Sequence, residues 1–298
     1  MNNLTVSVII PNFNGEKLLE KNLPSIILAE NNPDNHIDEI IVVDDGSRDG
    51  SVKMIVSKFP QIKLIKHREN RGFSAAVNTG VRTAKGDLVC LLNSDVVPEY
   101  NFLEPVFSSF RNPKIFAVSL NETGEFGWAR GNFIDGFIGH SAGPKSVTPH
   151  DTFWVSGGSG VFRRSIWMEL TGMDEKLLSP FYWEDVDLCY RALKRGYGLI
   201  WEPGAKVTHI HETTINLFSN AYVDRIHQRN QLLFIWKDLT STNLFRKHLV
   251  GLVKRLVRHP GYVRIVLMAL VKIGTLVKAR NREIREAKIS DETMFSRF

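Results

Sequence analysis

The first 120 residues alternate short apolar runs with stretches of helical spacing. VSVII (6–10) is apolar throughout and stops at Pro11; after it, Leu18, Leu19, Leu23, Ile26 and Ile27 recur with helical periodicity. IDEIIVVDD (37–45) reads as a second strand, followed by a helix that Asp49 or Ser51 would open as N-cap. IKLIKH (62–67), DLVCLLN (87–93) and IFAVSL (115–120) read as further strands, with a helix over Ser74–Ala84. Strands that are apolar on both sides and separated by helices predict an α/β fold, with a mostly parallel central sheet and helices on both faces. Such sheets bind ligands beyond the carboxyl ends of their strands. That rule selects the polar turns Pro11–Asn14, Asp44–Ser47, His67–Gly72 and Asn93–Asp95, which should converge on one edge.

The periodicity is lost over 121–152, where glycines and aromatics crowd (GEFGWARGNFIDGFIGHSAG). So aromatic a stretch predicts a long functional excursion, not a disordered linker. FWVSGGSGVF (153–162) predicts a strand, and a helix is expected from near Glu184 through Leu188, Ala192 and Leu193 to Arg195, closed by Gly196. GLIWEP and AKVTHIH read as two short strands. The rest is helical. Leu249, Leu252, Val253, Leu256 and Val257 form one face, and Lys247, Lys254, Arg255 and Arg258 lie on the other. After a break at Pro260–Gly261, Val263–Val277 is apolar but interrupted by Arg264 and Lys272. No uncharged run approaches the ~20 residues that a membrane span needs.

Charge changes the picture of this tail. Residues 1–215 hold 22 Lys and Arg against 26 Asp and Glu, a net −4, whereas 216–298 hold 16 against 6, a net +10. A basic amphipathic segment that does not span suits lying in a bilayer interface, and the basic excess adds attraction to anionic lipid. The alternatives are that its apolar face packs on the rest of the chain, or that the charge serves nucleic acid; an anionic membrane surface is expected and nucleic acid is not. The expected organisation is a catalytic unit over 1–235 and a basic helical region over 236–298. Cys90 and Cys189 lie in apolar or helical contexts without CxxC spacing, which disfavours a disulfide framework and a zinc site and favours a reducing compartment. MNNLTVSVII has neither a basic n-region nor an h-region, so no signal peptide is expected.

Several chemistries lack their motif. No GxGxxG follows the first strand, no GxxxxGK[ST] occurs, and no GxSxG elbow is present, which disfavours dinucleotide oxidoreductases, P-loop NTPases and α/β-hydrolases. What is present is a set of acidic and amide turns. VVDDGS puts two carboxylates at a strand end, able to accept from a base N–H or ribose hydroxyls, or simply to make an Asx turn. In LLNSDVVP, Asp95 leaves a buried strand, with Asn93 where a paired-aspartate metal site would have a second acid. In FYWEDVDLCYR the aromatics beside Glu184, Asp185 and Asp187 suit a sugar site, since rings stack on sugar C–H faces and carboxylates bind or deprotonate hydroxyls. Acids in a helix's first turn are also favoured by the dipole alone. In KVTHIH an extended chain would put His209 and His211 on one face, as metal ligands or as structural histidines.

Taken in order, VSVIIPNFNG, IIVVDDGSRDGS, NRGFSAAVNTG, LLNSDVVP, SGGSGVFRR, MDEKL, FYWEDVDLCYRA and VTHIHET resemble the family 2 glycosyltransferases of GT-A fold, most closely their rhamnosyltransferase-like branch, over roughly residues 4–235. The resemblance implies an inverting transfer from a UDP-, dTDP- or GDP-sugar with a divalent metal, Mn²⁺ or Mg²⁺. It places Pro11, Asn12 and Asp44 in the nucleoside pocket, and Asn70, Arg71 and Gly72 near the base or phosphates. Asn93, Ser94 and Asp95 occupy the place of the DxD motif. Asp185 becomes the catalytic base, Glu184 orients the acceptor or exchanges roles with it, and His209 is the metal's second protein ligand beside Asp95. Gly157 and Gly158 would give close backbone approach near the sugar, and Tyr182 and Trp183 would face the acceptor. The expected acceptor is a glycan or lipid-linked glycan of cell-surface polysaccharide synthesis, at the cytoplasmic face of a membrane. A sugar-phosphate nucleotidyltransferase would need a Gly-rich basic loop that PNFNGEK lacks. A non-catalytic glycan-binding protein is the other alternative.

Overall fold

A computed structural model of the chain describes residues 4–123, 127–209 and 218–298. Its first half runs β1 (Val6–Asn12), α1 (Glu16–Glu30), β2 (Ile37–Asp44), α2 (Ser51–Lys58), β3 (Lys63–Lys66), α3 (Phe73–Thr83), β4 (Leu88–Leu92), β5 (Val96–Pro98), α4 (Phe107–Phe110) and β6 (Ile115–Glu122). The second half runs β7 (Ala129–Ile134), β8 (Phe137–Ala142), β9 (His150–Asp151), β10 (Ser159–Arg163), α5 (Arg164–Glu169), α6 (Glu184–Lys194) and β11 (Gly198–His209). It ends in α7 (Asn220–Asp238), α8 (Thr242–Arg258), α9 (Val263–Leu270), α10 (Ile273–Glu286) and α11 (Asp291–Phe295).

The main sheet has the order β3-β2-β1-β4-β10-β6-β11-β5, with β9 also on β11. β3, β2, β1, β4, β6 and β11 point the same way; β10, β5 and β9 run against them. The fold is therefore α/β with a mostly parallel central sheet, and the reason the strands are apolar throughout is visible in the packing. Ile9, Ile41, Val43, Val89 and Leu91 face a core shared with α3, α6 and α7. Their alternates Val8, Ile10, Val42, Cys90 and Leu92 face a second core under α1 and α2.

Three elements differ from the sequence pattern. The excursion over 121–152 contains the hairpin β7–β8, which turns at Asp135 and Gly136 with φ of 51° and 85°. Positive φ at both central residues is the two-residue turn that Asp-Gly favours between strands. The predicted strand 153–162 is irregular up to a turn at Gly157–Gly158, and β10 starts only at Ser159. The two short strands after Gly196 are one, β11, with a register break between Trp201 and Lys206. Neither Asp49 nor Ser51 is the N-cap of α2, a position that Gly50 takes; Asp49, just before it, accepts from the Ser51 N–H at 3.0 Å and from the Glu16 N–H, at the start of α1, at 2.9 Å.

The tail is tied to the body. A boundary at 235 falls inside α7, where Lys237 Nζ, buried, lies 2.6 Å from Asp187 and 3.0 Å from Asp174. Asp291 accepts from Tyr190 Oη at 2.5 Å and Lys194 Nζ at 2.6 Å, and Arg195 pairs with Glu283 at 2.8 Å. One face of the tail helices packs on the body, through Leu244, Leu252, Ile265, Ala269, Leu276 and Met294, while Leu249, Val253 and Val257 are exposed. No single described helix is long and apolar enough to cross a membrane; α9 and α10 meet at a 76° bend.

Candidate functional site

The carboxyl ends of β1 and β2 lie side by side, with Asn12 opposite Asp44. Asn12 Nδ2 donates to Asp44 Oδ1 at 2.9 Å and to Ser47 Oγ at 3.2 Å, and Asp44 Oδ2 accepts from the Ser47 N–H at 3.1 Å. Asn12 Oδ1 is buried with no partner, an acceptor that a ligand N–H or hydroxyl can use. Pro11, half-buried, continues β1 into this turn. Asp45, which sequence reasoning left without a role, organises the neighbouring loop. It accepts from the N–H groups of Arg71 at 3.0 Å and Gly72 at 2.8 Å, and lies 2.6 Å from His67 Nδ1. Asn70 Oδ1 also accepts from the Gly72 N–H at 3.0 Å, while the Arg71 guanidinium is exposed and pairs with Glu175 at 3.2 Å. Gly46, at φ 74°, lets the two loops touch: a Cβ there would lie 2.6 Å from the Glu69 carbonyl carbon.

Asp95 is brought to His209 by strand register, since the next residue, Val96, stands opposite His209 in the β5–β11 pair. Asp95 Oδ1 is 3.3 Å from His209 Nε2, and Asp95 Oδ2 is buried with no partner. His209 Nδ1 is 3.2 Å from Glu122 Oε2 at the end of β6, and Glu122 Oε1 accepts from Ser159 Oγ. Burial opposes protonation of His209, but the hydrogen bonds and charges of Asp95 and Glu122 outweigh it and push its pKa up to about 10. A carboxylate with a spare oxygen beside an imidazole whose far nitrogen is held by a second carboxylate is a donor set suited to a divalent cation, which must displace the Nε2 proton to bind. Asp95 and His209 would hold the ion and Glu122 would orient the ring. Among the described residues no group of three or more His, Cys, Asp or Glu could hold a metal by itself, so ligand oxygens and water must complete the shell. His211 lies outside the described residues.

The turn 156–158 connects this region to the acids of α6. The Asn93 N–H donates to Gly158 O at 2.9 Å, and the Gly157 N–H donates to Asp185 Oδ2 at 3.3 Å. A Cβ on Gly158 would lie 2.4 Å from Asn93 Nδ2, and one on Gly157 would lie 2.9 Å from Met173 Cε. Both glycines thus permit close approach, but to the protein's own Asn93 and Met173. Ser94 is anchored from α1, its carbonyl accepting from Asn22 Nδ2 at 2.8 Å.

Asp185 and Glu184 begin α6. Asp185 is half-buried; burial raises its pKa above the ordinary aspartate value, against hydrogen bonds from the Gly157 and Val186 N–H groups. Glu184 is buried, and burial together with the charge of Asp185 holds its pKa well above the usual glutamate value. Asp187 is spent on structure: it pairs with Arg191 at 2.7 Å and Lys237 at 2.6 Å, and is fully buried. The residues before α6 are strained, with φ of 72° at Tyr182 and 74° at Trp183. Asn230 of α7 holds them, its Nδ2 donating to Phe181 O at 2.9 Å, Tyr182 O at 3.0 Å and Leu178 O. Trp183 was expected to face the acceptor, but its ring is stacked on Phe234 at 5.3 Å and only 5% exposed, because the positive φ turns it into the core. Tyr182 stays half-buried, edge-on to His227.

A cavity of about 460 Å³ adjoins His209 and Glu122 and is walled by Trp128, His140, Thr152, Trp154 and Ser159. Trp128 stacks on His150 at 3.8 Å and His140 lies 5.0 Å from Trp154, so the aromatic excursion lines the cleft. The residues sequence reasoning missed have different histories. Glu122 lies just past the last apolar residue of IFAVSL, inside the stretch without periodicity. Asp45 stood beside Asp44 in VVDDGS. Asn230 carries no local signal.

The model of glycosyl transferase family 2 matches residues 7–170, over half of the chain, and the chain belongs to that family. The pre-mycofactocin glycosyltransferase of Mycobacterium tuberculosis is 34% identical over 183 residues, covering 59% of this chain and 38% of the relative. The N-acetylglucosaminyl-diphospho-decaprenol L-rhamnosyltransferase of the same species is 26% identical over 228 residues, covering 64% and 71%, consistent with the rhamnosyltransferase-like branch. The match thus spans little more than a third of the first relative's length. Among solved structures, GalNAc-T7 with UDP, GalNAc and Mn²⁺ superposes with a TM-score of 0.64 at 18% identity, over 88% of this chain and 57% of that one. The mannosyltransferase PcManGT of Pyrobaculum calidifontis, in complex with GDP-Man and Mn²⁺, gives 0.58 at 17%, over 96% and 86%. These likenesses identify the fold as GT-A.

Proposed function

We propose that the chain is an inverting glycosyltransferase that moves a sugar from a UDP-, dTDP- or GDP-sugar to a hydroxyl of a glycan or lipid-linked acceptor, in the assembly of cell-surface polysaccharide. The observation that carries this reading is the turn 156–158, which hydrogen-bonds the Asn93–Asp95 turn on one side and Asp185 on the other. A diphosphate-binding turn and a base held in one frame are what a single displacement requires. Asn12, with its free buried oxygen, and Asp44 supply nucleoside contacts; the backbone of Asn70–Gly72, fixed by Asp45, closes over them. Held by Asp95 and His209, Mn²⁺ or Mg²⁺ would stabilise the negative charge that develops on the leaving diphosphate. Asp185 takes the acceptor's proton as that oxygen bonds to the anomeric carbon and the bond to the diphosphate oxygen breaks. One base and one displacement invert the anomeric configuration. Asp185 is suited to this because it is only half-buried and its raised pKa makes it a stronger base than an exposed aspartate. Glu184, more deeply buried and holding its proton to higher pH, orients the acceptor.

Screening UDP-, dTDP- and GDP-sugars for release of nucleoside diphosphate, with Mn²⁺, with Mg²⁺ and with EDTA, tests the reading. Turnover of one donor that EDTA abolishes supports it; a folded protein that turns over none, with either metal, counts against it.

A further inference from the structure

Residues 242–282 hold ten Lys and Arg and no Asp or Glu. Part of this charge collects at a cavity of about 700 Å³ between the β7–β8 turn and α8, lined by Arg246, Lys247, Lys254, Arg255, Arg258 and His259. The one acid on its wall is Asp135. Arg255 is fixed over the Phe137 ring, 3.4 Å from its centre. Among the described residues Arg246, Lys247, Lys254 and Arg258 make no ion pair within the chain. The cavity is a built feature: a Cβ on Gly251 would lie 2.1 Å from Asp135 O, and His248 Nδ1 lies 2.7 Å from Gly136 O while its Nε2 accepts from Trp236 Nε1 at 2.9 Å. On α8, Val253 is 60% exposed and Val257 76%, with Leu249 and Val250 exposed on the same helix; on α9, α10 and the turn between them, Leu267, Val271 (86%) and Ile273 are exposed. Exposed patches of this kind mark interaction sites.

We propose that this face docks on an anionic bilayer, with the apolar residues of α8–α10 in the lipid interface and the basic cavity holding a phospholipid phosphate headgroup. Charge complementarity decides for lipid: exposed apolar residues within a stretch, 242–282, of ten cations and no acid match an anionic bilayer, whereas against a second copy of itself this stretch would bring like charges together. The docking goes beyond the transfer reading and gives it an orientation. β8 starts at the basic cavity with Phe137 and ends in the cleft with His140, Ser141 and Ala142. At about 3.3 Å per residue, a docked headgroup and the cleft are separated by only a few residues of strand, so the cleft opens near the membrane surface, where a lipid-linked acceptor would be presented.

Flotation of the full chain with phosphatidylcholine vesicles, with and without phosphatidylglycerol, tests this without donor or acceptor, so its failure leaves the transfer reading standing. Binding should require phosphatidylglycerol and fall with salt. Each Lys or Arg at an anionic surface contributes about fivefold in partitioning, so R246E/K254E should bind at least about 25-fold more weakly. V253D/V257D should lose binding as well, and both variants should keep the wild-type melting temperature. Equal binding to both vesicle types, no binding, or binding untouched by either double variant overturns the proposal. So does a concentration-dependent dimer in light scattering that V253D/V257D abolishes, which would make the face a contact between copies. Stabilisation by inorganic phosphate without vesicle binding would make the cavity a soluble-anion site and equally overturn it.

Discussion

Asn230→Ala tests whether the approach to Asp185 is held from α7. The two N–H groups of the Asn230 amide are shared among the carbonyls of Leu178, Phe181 and Tyr182, and its oxygen accepts from Arg229 Nε at 3.0 Å and Nη2 at 2.8 Å. Two neutral hydrogen bonds at about 1 kcal/mol each and a charge-assisted contact of about 2 kcal/mol make the loss about 4 kcal/mol. Freed of Asn230, Tyr182 and Trp183 can leave positive φ, which releases about 1–3 kcal/mol at each residue. Net destabilisation is then at most about 2 kcal/mol, a fall of no more than about 8 °C in melting temperature for a chain of this size. The catalytic cost is larger, because Glu184 and Asp185 directly follow the relaxed residues; a displacement of about 1 Å lowers kcat/KM by about 100-fold. Nucleotide affinity should be unchanged, since the Asn12, Asp44 and Asp45 contacts lie on other elements. Thermal melts, nucleotide titration and steady-state kinetics well below the melting temperature measure all three. The reasoning fails if kcat/KM stays within about threefold of wild type, or if nucleotide affinity falls in step with activity.

Gly158→Ala puts a Cβ 2.4 Å from Asn93 Nδ2 and should cost about 1–3 kcal/mol in stability. In an Asn93→Ala background the cost should disappear, and a double-mutant cycle by urea denaturation that shows no coupling would refute the contact. Asp187→Asn leaves Lys237 and Arg191 as buried cations with a weakened partner and should cost about 3–5 kcal/mol; a loss under about 1 kcal/mol would contradict the network. For pH, a base must be deprotonated to act, and the pKa of Asp185 is raised by burial. Hence kcat/KM should be constant at higher pH and fall as pH drops through a value above the ordinary aspartate range. Because Glu184 and Asp185 titrate together, the limb reports the pair; an acid limb at or below the ordinary aspartate value would be inconsistent with this assignment.

The parallel sheet was legible because its strands are buried on both faces, which writes continuous apolar runs such as VSVII and LVCLL into the chain. The edge where strands end was legible for the same reason, and it led to Asn12, Asp44 and Asp95 directly. The β7–β8 hairpin was harder. Its Asp135–Gly136 turn is a strong local signal, but its strands face a cleft and carry polar and glycine residues in place of clean alternation. Trp183 was misjudged because side-chain direction there depends on a positive φ imposed by Asn230, 47 positions later in the chain. Glu122 meets His209 only through the parallel register of β6 and β11, which residue spacing does not encode. The tail's amphipathic face was readable as such, yet the wheel could not divide it into the part under Leu252 that packs and the part around Val253 and Val257 that faces solvent.

The central claim is that Asp185 is the base of a donor site assembled on the strand ends. Its most direct test is Asp185→Asn, with nucleotide affinity and nucleoside diphosphate release measured on the same protein in Mn²⁺. The variant should bind nucleotide within about twofold of wild type, because none of the nucleoside contacts involves α6, and turnover should fall by about 10³-fold or more, within the range general-base loss produces. Turnover near the wild-type rate in a variant that binds nucleotide normally would contradict the account.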